Sequence, residues 1–182
     1  QPPVDSDIIS TAQLWAEQFN DAFAKRLEEI QMVNADGTTN DPSAANATQQ
    51  NPGKIYHAVD YVGTVKVNGE VRDVSRRVYQ RRDIDFEYSE SELGKSNLER
   101  MQAGKPPIGS DGHPIHLHHI LQVEKGPMVE ILEVTHEQYF SQLHGLIGKG
   151  DSFRNDPVLK KQYNNFRRNY WKWRANQILG GD

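Results

Sequence analysis

The sequence predicts an α+β fold in which a strand-rich middle is flanked by a helix at each end. Apolar residues recur at three- and four-residue spacing over residues 6–32 and again over 159–173, as on one face of a helix. Between these segments lie runs of strand-forming residues and the turn pair Asn68-Gly69. The length of 182 residues fits one domain, or one domain with an extension.

The first predicted element is a helix over residues 6–32, which Asp5, Ser6 or Asp7 could cap. We interpret its apolar stripe as a face packed on the main domain rather than as a tether for a partner, because such a stripe usually marks core. Residues 34–53 follow as a long polar loop, and a loop of this length is either mobile or functional.

Residues 54–79 are predicted to form strands, with Asn68-Gly69 as the turn of a hairpin. Two arginine pairs lie near the end of this segment. Arg76-Arg77 is within it, and Arg81-Arg82 comes just after it. Their side chains could contact phosphates, or they could be solvated or paired with the aspartates that come next.

The next predicted elements are a short helix over residues 89–102 and then a strand that is rich in histidine. The turn Ser110-Asp111-Gly112 leads into that strand, and Gly126-Pro127 turns the chain back. A second strand covers residues 128–131, and a helix begins near residues 132–135. The predicted order is therefore strand, turn, strand and helix.

Histidines mark this unit as the chemical centre of the chain. Four of the seven histidines lie within residues 112–120. Burying imidazoles costs free energy unless their nitrogens are bonded, so a strand built only for packing would not use them. Adjacent strand residues point to opposite faces, so His118 and His119 can serve two different tasks.

A divalent metal bound by imidazoles needs about three nitrogens that converge on one point. We predict His118, His136 and His144 as the ligands, a set that favours zinc or nickel, with magnesium or manganese possible in turnover. His119 is suited to general-base work near neutral pH. Because eight residues separate His136 from His144, the helix must break between them, or one of them is not a ligand. Histidine-rich strands can also be purely structural.

The composition excludes several classes of protein. There is no cysteine, so neither disulfides nor thiolate metal sites can form. No apolar run approaches the ~18 residues of a membrane span, and we expect no membrane partner. The net charge of −4 is uneven, because residues 141–182 carry eight Lys or Arg against three Asp. Since the chain begins at Gln1 and shows no signal peptide, we expect it to be a piece of a longer protein.

The C-terminal helix is predicted to have one apolar and one basic face. The predicted core stripe consists of Leu159, Tyr163, Phe166, Tyr170 and Trp173. The predicted basic face consists of Lys160, Lys161, Arg167, Arg168, Lys172 and Arg174. That face could hold a DNA backbone or be solvated, and its closeness to the histidine unit favours DNA.

The ordered motifs resemble one nuclease family. They are Asn97-Leu98-Glu99-Arg100-Met101, then Pro107-Ile108-Gly109, Asp111-Gly112, Pro114-Ile115 and Leu117-His118-His119, followed by Gln122, Gly126-Pro127, Glu130, His136 and His144. This set resembles the LHH family of the HNH/endonuclease VII superfamily. The resemblance covers residues 78–175 and leaves the first 75 residues outside.

The resemblance implies a ββα-metal (His-Me finger) nuclease core, with additional strands and flanking N- and C-terminal helices. His118 takes the place of the first metal ligand, and His119 that of the base that activates water. His136 takes the place of the ligand on the helix, and His144 that of a more distal histidine. We therefore divide the chain into an extension, residues 1–75, and a nuclease domain, residues 76–182. Expected nucleic-acid contacts are Arg81, Arg82, Lys160, Arg167, Arg168 and Lys172.

The same resemblance implies a metal-dependent DNA endonuclease with little sequence specificity. Family members are typically C-terminal modules of bacterial polymorphic toxins used in competition between bacteria. We therefore expect delivery as part of a larger secreted toxin, action in the target-cell cytoplasm, and a cognate immunity protein. The alternatives are an RNA-cleaving toxin and a non-catalytic, zinc-stabilised binding module.

Overall fold

The structure is a computed structural model, and it describes residues 56–120, 122–138 and 152–180. The predicted N-terminal helix and the polar loop after it lie outside these residues. Within the described ranges, no helix is both long and apolar enough to cross a membrane.

Four strands open the described part, where the sequence predicted strands over residues 54–79. They are β1 (Tyr56–Tyr61), β2 (Thr64–Val67), β3 (Glu70–Asp73) and β4 (Arg76–Arg81). The β2–β3 hairpin turns at Asn68 and Gly69, whose φ angles of 52° and 90° are the left-handed values that a tight hairpin turn needs. The hairpin forms a two-stranded sheet of its own.

The larger sheet has four strands, including β5 (His116–His119) and β6 (Met128–Ile131), in the order β1-β4-β6-β5. β1 pairs antiparallel with β4, β4 parallel with β6, and β5 antiparallel with β6. The predicted domain boundary after residue 75 lies just before β4, and β1 pairs with β4 across it.

Helix α1 covers Asn97–Gln102 only, whereas the predicted helix began at residue 89. Ser96 starts the helix with a capping box in which its side chain accepts from the Glu99 N–H and Glu99 accepts from the Ser96 N–H. Before Ser96 the chain forms turns and bends instead of helix. There the carbonyl groups of Phe86 and Tyr88 accept hydrogen bonds from the first N–H groups of α1.

Helix α2 covers Glu133–Gln138 and completes a ββα unit with β5 and β6. Asp111, in the turn that precedes β5, accepts a hydrogen bond from the Val134 N–H of this helix at 3.1 Å. The start of α2 is therefore attached to the segment that leads into the histidine strand. The fold is the predicted α+β class with a ββα core.

The 3₁₀ turn Phe153–Asn155 leads into α3 (Pro157–Ile178), which Asp156 caps with hydrogen bonds from two N–H groups. Tyr163, Phe166 and Tyr170 are buried as predicted. The fully buried tryptophan of α3 is Trp171, whereas Trp173, which the predicted stripe included, is only partly buried against Tyr61 and Tyr170.

Arg174 does not belong to the basic face, because its side chain is buried and bonded to the fully buried Glu130 of β6. Glu130 also accepts hydrogen bonds from the Tyr170 hydroxyl at 2.6 Å and from the Arg81 N–H at 2.8 Å. This network joins α3 to the middle of the four-stranded sheet.

Candidate functional site

Strand β5 presents its histidines on both faces. In a strand, alternate residues share a face, so His116 and His118 lie on one side and Leu117 and His119 on the other. Antiparallel pairing with β6 fixes this register, with His118 opposite Val129. His118 and His119 are both buried.

The first face of β5 gathers three imidazoles. The ring centroid of His118 lies 5.3 Å from that of His136 on α2, and the His116 ring stacks on His136 at 4.9 Å. Glu133, one turn earlier on α2, places a carboxylate oxygen 3.6 Å from His116 Nε2. The predicted neighbours His118 and His136 therefore meet, and His116 joins them.

The donors on this face suit a transition metal. An imidazole-bound metal lies roughly 3 Å from the ring centre, so two rings with centroids about 5 Å apart can share one ion. His118 and His136 satisfy this distance. Over the described ranges, no three His, Asp or Glu side chains are arranged to hold a metal ion. The predicted third ligand, His144, lies outside those ranges, as does the stretch in which the helix was predicted to break.

The second face of β5 holds a buried chain of charged groups. His119 Nε2 lies 2.6 Å from Glu124 Oε2. Two N–H groups of the Arg76 guanidinium donate to the same carboxylate, at 2.8 and 2.9 Å, and Gln162 of α3 donates to it at 2.9 Å. The side chains of Arg76, Glu124 and His119 are at most 5% exposed.

These bonds fix the protonation state of His119. Burial raises the pKa of Glu124, but the hydrogen bonds from Arg76, His119 and Gln162 outweigh burial and lower it to about 2. An ionised carboxylate only accepts hydrogen bonds, so His119 must donate through Nε2–H, which leaves the lone pair on Nδ1. Burial, together with the charges of Arg76 and Arg154, lowers the pKa of His119 below its usual 6.5 although Glu124 raises it, so the ring is neutral near pH 7.

Two aromatic rings line the His119 face and carry arginines. The Phe153 and Tyr163 rings lie 4.6 and 4.8 Å from the His119 ring. The guanidinium carbon of Arg154 lies 5.4 Å from the centres of both rings, and that of Arg167 lies 5.7 Å from Tyr163. Cationic groups therefore stand beside the histidine that was predicted to be the base.

One of the expected nucleic-acid contacts does not fit its position. Arg81 is buried, and its guanidinium bonds to Asp83 and to the Tyr56 hydroxyl, so it has a structural role. This is the aspartate pairing that the sequence had left open as an alternative. The other expected contacts are exposed, namely Arg82, Lys160, Arg167, Arg168 and Lys172.

Sequence reasoning did not identify the partners of His119. Glu124 carried no signal beyond its position five residues after the histidine. In the sequence, Arg76 stands out only as part of an arginine pair, and no local pattern marks Arg154. Their contacts join segments that are distant in sequence, such as Arg76 and Glu124, 48 residues apart.

Comparison with known families places this geometry in context. Residues 96–177 match the model of the LHH family, which is described as a nuclease of the HNH/ENDO VII superfamily with conserved LHH. No solved structure matches the chain. The match includes α1, the whole ββα unit and nearly all of α3. Over residues 96–177 the chain is therefore similar to the LHH nucleases of the HNH/ENDO VII superfamily.

Proposed function

We propose that this protein is a metal-dependent endonuclease that hydrolyses DNA with little sequence specificity. The observation that carries the proposal is the division of labour on β5. Its His118 face meets His136, and its His119 face meets the buried Glu124–Arg76 pair. A metal-dependent nuclease that activates water with a general base uses a metal site and a neutral base close to each other.

His119 acts as the general base. Its Nδ1 accepts a proton from water while the water oxygen forms a bond to phosphorus and the bond from phosphorus to the 3′ oxygen breaks. The imidazolium that results is stabilised by the Glu124 carboxylate on Nε2 at 2.6 Å. Arg76 and Gln162 hold that carboxylate in place, so the His119 ring keeps its orientation through the reaction.

His118 and His136 would hold the divalent metal, with His144 as the predicted third ligand. When bound, the ion supplies positive charge to the scissile phosphate and to the departing oxygen. Imidazole donors favour zinc or nickel, and magnesium or manganese are candidates in turnover.

The exposed basic side of α3 binds the nucleic-acid backbone. Lys160, Arg167, Arg168 and Lys172 are all exposed on this helix, and Arg82 is exposed beyond β4. Contacts of this kind neutralise phosphates without reading bases, which agrees with low sequence specificity.

The test is cleavage of supercoiled plasmid by purified protein with added zinc, nickel, magnesium or manganese, and with chelator. We expect nicked and then degraded DNA only when a metal is present. RNA in parallel reactions distinguishes the RNA-cleaving alternative. A folded, metal-loaded protein that leaves both substrates intact would contradict the nuclease proposal and favour a zinc-stabilised binding module.

Two single variants separate the base from the ligand. His119→Ala should abolish cleavage and leave metal affinity nearly unchanged, whereas His118→Ala should lose both. Calorimetric metal titration measures the affinities. Loss of metal binding in His119→Ala alone would reverse the two roles.

We further propose that the chain acts as the C-terminal part of a larger secreted toxin, in the cytoplasm of a competing bacterium, and that a cognate immunity protein blocks it. The family resemblance supports this proposal. Expression in a bacterial cytoplasm should stop growth and degrade the chromosome, and His119→Ala should not. Normal growth with active enzyme in the cell would argue against a toxin.

A further inference from the structure

Two packed aromatic rings lie against His119. Phe153 and Tyr163 pack edge to face with their ring centres 5.5 Å apart, and both contact the His119 ring. The Tyr163 hydroxyl donates to the Leu117 carbonyl at 3.0 Å, which holds the ring against β5. We call Phe153 and Tyr163 the aromatic shelf.

Two arginines stand on this shelf with their charges available. Arg154 contacts both rings and Arg167 contacts Tyr163, and both side chains are exposed. Neither forms an ion pair with a carboxylate in the part of the chain that the structure describes. The other arginine near His119 is Arg76, whose charge is neutralised by Glu124.

We propose that Arg154 contacts the scissile phosphate, and that Arg167, on the other side of Tyr163, binds the neighbouring phosphate of the same strand. This inference rests on the proposed function. It adds Arg154, which lies on a turn before α3 and outside the helical basic face, as a catalytic residue.

Position and charge both support this role for Arg154. A water activated by His119 must lie next to the phosphate that it attacks, and Arg154 stands on the two rings that touch His119. A fixed guanidinium stabilises the negative charge that builds up on the phosphate oxygens in the transition state. Stacking on aromatic rings orients it before substrate binds.

The first experiment measures cleavage rates under saturating metal. Arg154→Ala should reduce kcat by about 100-fold, and Arg154→Lys should recover part of that loss because it keeps the charge but not the planar fork. Lys95→Ala is the matched control, since Lys95 is an exposed cation in the turn before α1. Cleavage by Arg154→Ala within threefold of the control would overturn the proposal.

The second experiment separates this inference from the proposed function, because it needs no cleavage. In a His119→Ala background, Arg167→Ala should weaken binding of a double-stranded oligonucleotide about tenfold at low salt and reduce the salt dependence by roughly one phosphate contact. Arg154→Ala should do the same more weakly. If neither variant alters oligonucleotide binding or its salt dependence, the arginines on the aromatic shelf do not bind the DNA backbone. That result would overturn this inference even when the wild type cleaves DNA.

Thermal midpoints provide the control for folding. Both arginines are exposed, and the contacts that the structure describes for their side chains are with Phe153 and Tyr163, so their alanine variants should melt within about 2 °C of the parent protein. A variant that melts much lower is replaced by the corresponding glutamine, which retains most of the side-chain stem. An equal loss of activity in the glutamine variant at native stability supports the proposal, and full activity overturns it.

Discussion

The carboxylate of Glu124 is held by donors on three other side chains. Its side chain has no exposed surface, and Arg76, Gln162 and His119 all donate to it. A buried carboxylate with several donors is stable only while it is ionised. The residue that orients the predicted base is therefore also a source of pH-dependent stability.

The direction of that dependence follows from the pKa values. The pKa of Glu124 is 4.5 when unperturbed and about 2 in the folded protein, so the unfolded chain binds the proton more readily. This group therefore stabilises the fold fully above pH 4.5, and its contribution is lost as the pH falls through about 2. Its size is on the order of 3 kcal/mol.

We expect Glu124→Gln to remove this part of the acid sensitivity. Urea unfolding of the wild type and the variant between pH 5 and about pH 2 would show their difference in unfolding free energy shrinking as the pH falls. At neutral pH the variant should be less stable than the wild type, because Arg76 loses its ionised partner. If the difference in unfolding free energy stayed constant across this pH range, Glu124 would not be the source of the acid sensitivity.

His116 and His113 form a natural pair for testing the metal-facing side. His116 stacks on His136 and lies beside Glu133, whereas His113 is exposed and bonds to its own turn at the Asp111 carbonyl. His116→Ala should weaken metal binding about tenfold by releasing the His136 ring, and His113→Ala should leave the affinity unchanged. Calorimetric titration checks both, and equal affinities in the two variants would rule out a role for His116.

At the scale of the elements, the sequence predicted what local patterns determine. Alternating strand formers and Asn68-Gly69 specify the hairpin, and Gly126-Pro127 separates β5 from β6. The proximity of His118 and His136 could also be anticipated, because a short strand-turn-strand-helix unit brings the two segments together. Those predictions depend on neighbours along the chain.

Long-range packing decided what the sequence could not predict. The apolar stripe of α3 does not distinguish Trp171 from Trp173 until the helix is seated on the sheet. In the sequence, Arg174 cannot be distinguished from the exposed basic residues near it on α3. Its side chain is buried because it bonds to the buried Glu130. The Arg76–Glu124 contact is likewise set by the fold and not by any local motif.

The Asp111 carboxylate, which lies outside α2, bonds to the first turn of that helix. Asp111 accepts the Val134 N–H and also the His113 N–H at 3.2 Å, so it joins the approach to β5 with the helix that carries His136. Asp111→Ala should lower the unfolding free energy by about 1 kcal/mol, as for loss of a helix cap, and should also weaken metal binding. Asp111→Asn keeps one of the two acceptor oxygens, which can serve the Val134 N–H, and should retain part of the stability and of the metal affinity.

Denaturant titration and calorimetry of these two variants measure the effects. A fall in stability with unchanged metal affinity would mean that Asp111 supports the fold without positioning His136. Equal losses in the alanine and asparagine variants would mean that the charge matters more than the hydrogen bonds.

At the scale of the whole described part, α3 is joined to the sheet by a buried ionic network as well as by its aromatic face. Glu130 receives Arg174, Tyr170 and the Arg81 N–H, and Gln80 links Tyr170 with Arg174. The helix that carries Arg167 and the other exposed cations is thus fixed to β6, which pairs with the histidine strand. The distance between the basic surface and His119 depends on this connection.

Removing one member of the network should be costly, because the remaining charge is buried without compensation. We expect Glu130→Gln to reduce the unfolding free energy by about 3–5 kcal/mol, whereas Lys172→Ala on the exposed side of the same helix should change it by less than about 0.5 kcal/mol. Replacing Glu130 and Arg174 together with leucine should cost less than Glu130→Gln, because no unpaired charge remains. Urea denaturation provides these values, together with those of the single variants Glu130→Leu and Arg174→Leu. A double variant as unstable as the sum of its single variants would mean that the two residues stabilise the fold independently, and the network would then not be what holds α3 against the sheet.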